Sequence, residues 1–217
     1  MTALSISSQP GEPLGAWFSP EQRTAFGAEQ RFEFASFGDR VSGRCWLPAR
    51  PATGLVLALH RLSRDKDDAS VIEAARVWGA AGWMTAAIDL PLHGERHNAK
   101  LSRRAVVGSA AEGGADRALW MGLLAQAVRD LARALDAFAA RGALADVACV
   151  AQGDAAPIAL AHASLDARVR IVAAIGTPRA LTIELGAQPT KTLVWIARPD
   201  DLVFARRAPG VTAPRDC

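Results

Sequence analysis

The chain has 217 residues, enough for one α/β domain with a sizeable core and no need of disulfide or metal staples. Half of the residues are apolar and 22% are charged, which excludes a disordered chain, a collagen and a disulfide scaffold. The net charge of +3 comes from 25 basic and 22 acidic residues spread along the chain, and with no Tyr and scattered Trp and Phe this is not the stripe of a nucleic-acid binder.

Residues 1–28 are rich in Ser, Pro and Gly and read as a loose N-terminal arm, with a short helix expected after Ser19-Pro20. They carry no basic segment followed by an apolar run, so no signal peptide is expected. No apolar stretch reaches the roughly 18 residues of a membrane helix, so no membrane partner is expected. Cys45, Cys149 and Cys217 lie far apart without ligand spacing and point to a reducing, cytoplasmic location.

Arg31 to Phe37 alternates polar and aromatic residues as a half-buried strand would, and Val41 to Leu47 reads as its hairpin partner across Gly38-Asp39. Gly54 to His60 is a continuous apolar run, which suits a strand buried on both faces. Ser70 to Ala81 carries apolar residues at helical spacing before Gly82, and Trp83 to Asp89 is a second buried strand. Strand, helix and strand make a parallel crossover unit. Residues 90–114 read as a long loop, Ala115 to Ala140 as the longest helix. Asp146 to Ala151 is a third core strand, followed by a helix over Ala155 to Ala163 with Pro157 in its first turn. Val169 to Gly176 and Thr192 to Ala197 are the fourth and fifth, and 206–217 is an irregular tail. The fold class is therefore α/β: an open, mostly parallel sheet over 29–205, with helices on both faces and a ligand site at the carboxyl ends of the strands.

The loops after the core strands hold the unusual residues: HRLSRDK at 60–66, DLPLHGER at 89–96, AQGDAA at 151–156 and ARPDDLV at 197–203. Together these segments resemble the α/β-hydrolase superfamily, in order over residues 30–204. LVLALHRLSRDKDD is similar to its strand and oxyanion loop, and AAGWMTAAIDLPLHGER to its Asp-x-Pro-x-His-Gly turn. DVACVAQGDAAPIALAHA sits where the family has its nucleophile elbow, and KTLVWIARPDDLVF where it has the strand before the catalytic acid. The short segment between the fourth and fifth core strands looks like the compact esterases of the family.

The resemblance implies Ser-His-Asp chemistry, and the residues depart from it. In the family's G-x-S-x-G elbow the nucleophile position falls on Gly153, which has no side chain to attack with. A shift by one residue would put Asp154 there instead. The acid position matches Asp200, which with Asp201 could equally cap the next helix. No His follows Asp200; the last in the chain is His162, expected as a satisfied His on the helix after the elbow. The backbone N–H groups of Leu62 and Asp154 match the oxyanion donors, but Arg61 replaces the family's Gly after His60. His60, Arg61 and His93 are expected to line the pocket. His93, Glu95 and His97 fall short of a fixed three-ligand metal site, so no metal and no cofactor is expected. Arg96, Lys100, Arg103 and Arg104 could attract an anion, although a solvated loop accounts for them as well.

Three readings remain open: a pseudo-hydrolase that binds a small-molecule ligand or a partner, an active hydrolase with a site rearranged around Asp154, and a truncated esterase. The tail has no strand pattern where the family places its last strand and His, so the last strand is expected to be missing; in the family's strand order Thr192 to Ala197 would then become the sheet edge, and an apolar edge is a pairing hazard. The tail, a second copy or another partner chain is expected to cover it.

Overall fold

The computed structural model describes residues 12–25, 27–111, 113–142 and 146–175 and, as backbone, 192–196. Two short strands, β1 (Trp17–Phe18) and β2 (Gln22–Thr24), pair antiparallel with β3 (Gly27–Ser36). They stand where a helix was expected after Ser19-Pro20. The Ser19 N–H donates to the Arg31 carbonyl at 2.9 Å, and the Ser19 hydroxyl accepts from the Arg31 N–H at 3.0 Å. The groups that would have opened the helix are bonded to β3 instead.

Strand β4 (Asp39–Pro48) returns along β3 over ten paired residues. The turn lies at Phe37-Gly38, with φ of +52° and +79°, one residue earlier than the sequence suggested. Two left-handed residues give the twist that a tight hairpin needs. Then β5 (Leu55–Leu59), helix α1 (Ala69–Ala80) and β6 (Met84–Ile88) form the expected crossover.

Residues 90–114 are not a loop. They hold one 3-10 turn at Gly94–Arg96 and helix α2 (Ala99–Ala110), capped by the Asn98 side chain, which accepts from the Leu101 N–H at 3.1 Å. The helix buries only Ser102, Ala105 and Gly108, so the apolar rhythm that marks a helix is almost missing. After it come α3 (Gly114–Ala139), β7 (Val147–Gln152), α4 (Ala156–Leu165), β8 (Val169–Ile175) and β9 (Thr192–Ile196).

The sheet order is β1-β3-β4-β6-β5-β7-β8-β9, and β5 to β9 run parallel. Alternation assigns the faces. Leu55, Leu57 and Leu59 join Trp120, Leu131, Leu135 and Phe138 in the main core, whereas Ala58 and Ala87 pack with Val71 of α1 on the other face. No helix among the described residues is long and apolar enough to cross a membrane.

Candidate functional site

Three of the four expected loops lie in the described structure, at the carboxyl ends of β5, β6 and β7. The register sets Leu59 of β5 level with Ala151 of β7, so the loops after β5 and β7 start side by side.

The turn after β6 is built around Asp89, which is wholly buried. Its carboxylate accepts from the Lys66 Nζ at 2.8 Å, the Lys66 N–H at 3.0 Å, the Glu95 N–H at 3.0 Å and the Ser42 hydroxyl at 3.0 Å. Burial pushes its pKa up, but these donors outweigh burial and hold it below the usual carboxylate range. The Lys66 Nζ also reaches Glu95 at 2.9 Å, which ties the loop after β5 to the turn. Gly94 sits against Asp89 with φ of +54°, and a Cβ there would fall 2.1 Å from the carboxyl group. The Asp and the Gly of the turn are thus one unit. Sequence reasoning missed Lys66, Ser42 and Glu95 as its partners, because they come from three segments and share no spacing.

His60 is also wholly buried, and both ring nitrogens are used. Its Nδ1 donates to the Arg61 carbonyl at 2.8 Å, and its Nε2 accepts from the Leu90 N–H at 3.0 Å. Burial lowers its pKa to about 4. It is a neutral brace between the loops after β5 and β6, with no lone pair left for a reaction. His93 packs on it with ring centroids 5.4 Å apart. His93 donates from Nδ1 to the Pro91 carbonyl at 2.8 Å, so its Nε2 is a buried acceptor that no group among the described residues bonds. Burial lowers its pKa too, while the Asp154 carboxylate pulls the other way, which puts Asp154 within electrostatic reach. Arg61 is exposed and Leu62 buried.

Strand β7 ends at Gln152, and Gly153 follows with φ of +58°. One 3-10 turn, Gly153–Ala155, leads into α4, whose first turn carries Pro157. Ala155 and Ala156 are fully buried, so the chain passes tightly from strand to helix. The left-handed residue is the one at 153, and Asp154, half-buried, does not share that conformation. The left-handed backbone of the turn therefore falls on the residue without a side chain.

Other candidates have structural partners. The Arg96 guanidinium is nearly buried, bonding the Asp130 carboxylate at 2.7 Å and the Asp89 carbonyl at 3.1 Å and pairing with Asp39, so it does not serve the basic loop that the sequence suggested. Arg104 pairs with Asp116 at 2.6 Å. His162 is a core residue on α4, with Nδ1 3.6 Å from the Cys149 sulfur and Nε2 3.4 Å from Asp166. Among the described residues, no three His, Cys, Asp or Glu are grouped to hold a metal. Asp200 and Asp201 lie outside the described residues.

No protein-family model and no curated protein matches the chain. Solved structures do. A cold-adapted esterase from an Arctic intertidal metagenomic library superposes with a TM-score of 0.59 at 23% identity, over 71% of this chain and 62% of its own. The acetyl xylan esterase from Paenibacillus sp. R4 gives 0.60 at 20% identity, over 82% of this chain and 57% of its own. Acetyl xylan esterase 1 from Thermoanaerobacterium sp. JW/SL YS485 gives 0.57 at 17% identity, over 81% and 56%. The chain spans less than two thirds of the length of each of the three. The likeness shows an α/β-hydrolase-like fold.

Proposed function

We propose that this chain is an esterase-like α/β-hydrolase-fold protein that binds a small ligand or a partner at the elbow without Ser-His-Asp chemistry. The observation that carries the reading is Gly153: the left-handed residue of the turn has no group with which to attack a carbonyl. The Asp154 carboxylate beside the expected oxyanion donors would oppose a developing negative charge, which supports the same reading. We also place the chain in the cytoplasm; the Cys45 thiol, buried and pushed up to about 12 by burial, is that of an inert core residue. The test is hydrolysis of p-nitrophenyl acetate and other small esters by the purified chain. The expected rate is that of buffer alone, and a saturable activity overturns the proposal.

A second reading, an active hydrolase with a rearranged site, is favoured by the unbonded His93 Nε2 within electrostatic reach of Asp154. It requires an activity that dies in Asp154→Asn.

The reading extends to β9. Its far edge pairs with no described strand, and its sequence TLVWI is apolar. We expect the tail or a second chain to cover it. Monomeric protein whose amides at 192–196 exchange freely refutes this.

A further inference from the structure

A second binding feature lies at the opposite end of the sheet, between α1 and the β2–β4 strands. Trp46 of β4 pairs with Thr85 near the start of β6, which places it at the amino ends of the parallel strands, away from the elbow. There a slot of about 140 Å³ is lined mainly by apolar groups, among them Ala28, Trp46, Leu47, Ile72 and Ala75. Its volume is close to that of an engineered apolar cavity of about 150 Å³ that holds benzene. Arg44 closes one wall: it lies 5.2 Å over the Trp46 ring and is itself held by Glu29 at 2.5 Å and Asp67 at 2.7 Å.

Beside the slot lies a wider recess of about 330 Å³ lined by Pro48, Ala49, Arg50 and Ala80, and Arg76 and Gly79 border both. The recess is basic. Arg50 is exposed and forms no ion pair among the described residues. Arg76 pairs only with Glu73, and both side chains are more than half exposed, so an anion could replace that carboxylate at little cost. The C-terminus of α1 lies alongside, and its negative end would oppose an anion. Its carbonyls are already capped, however: Val77, Gly79 and Trp78 accept from the N–H groups of Ala81, Gly82 and Trp83.

From the apolar slot joined to a basic recess we infer a site for a small amphiphilic anion, such as a medium-chain carboxylate, with its tail against Trp46 and its head between Arg50 and Arg76. Gly79 is the gate between the two parts. A Cβ on it would meet nothing within 4 Å, so the space above it is open to a ligand.

That glycine also supplies the test. A Cβ at 79 meets nothing within 4 Å, and replacing a helical glycine raises helix propensity, so Gly79→Leu should fold and set its side chain at the gate. Titration calorimetry of the full chain with octanoate should show saturable binding, weakened about tenfold or more by Gly79→Leu and again by Arg50→Gln with Arg76→Gln. Octanol should bind more weakly than octanoate. A thermal melt confirms that each variant is folded, and the arginine pair tests the same site without touching the helix backbone. Absence of octanoate binding at millimolar concentration, or binding that both sets of variants leave unchanged, overturns the inference.

Discussion

Two turns at the carboxyl end of the sheet are held in different ways. The turn after β6 is densely bonded: Asp89 accepts from four donors on three segments, and Gly94 is pressed against its carboxylate. The turn after β7 keeps its shape with far less, a left-handed Gly153 and two buried alanines. What the fold demands of residue 89 is a specific charge; what it demands of residue 153 is a conformation, and glycine meets that at the lowest cost.

The sharpest way to break this comparison is Asp89→Ala. It leaves the Lys66 ammonium, with a side chain only 9% exposed, without its buried partner and strands the N–H groups of Lys66 and Glu95. Removing one member of a buried pair costs on the order of 3–5 kcal/mol. Urea denaturation should show that loss, and a change below about 1 kcal/mol would mean that Asp89 does not hold the turn. Replacing Asp89 and Lys66 together by apolar residues should cost less than Asp89→Ala alone.

A second measurement sharpens the same point through pH. His60 braces the β6 turn in its neutral form, with a pKa lowered from 6.5 to about 4. Between those values the unfolded chain binds a proton that the folded chain refuses, so stability rises with pH. The contribution is complete above pH 6.5 and is lost as pH falls towards 4, by up to about 3 kcal/mol. His93, also lowered by burial, acts in the same direction. Thermal melts across that window should show the slope, and His60→Gln should flatten it. A wild type with no slope would show that His60 is not held neutral.

The parallel sheet was legible because its strands are continuous apolar runs between turn residues, and α3 because Trp120, Leu131, Leu135 and Phe138 keep a helical rhythm into the core. Helix α2 was not legible, since it packs with small residues and exposes its charges. The two strands at 17–24 were hidden for another reason: they are short, and the bonds that fix them come from β3 rather than from their own sequence. At the site, Gly153 could be placed from the strand before it and the small residues after it. The roles of His60 and Lys66 could not, because each is set by a partner distant in the chain: Leu90 for His60, and Asp89 and Glu95 for Lys66.

The smallest expected effect is the most informative about the elbow. Gly153→Ser forces a left-handed φ of +58° on a residue with a Cβ, which costs about 1 kcal/mol and should leave the chain folded. It also restores a hydroxyl at the apex. A hydroxyl attacks only when a base takes its proton. His60 has no free nitrogen for this, and the open Nε2 of His93 is buried. Restoring the nucleophile alone should therefore raise ester hydrolysis less than tenfold over the natural chain, as read by p-nitrophenol release. A much larger gain would mean that a base is already in place, and that the β7 turn lacks one side chain rather than a catalytic system. The contrast between the two turns would then be one of a single residue.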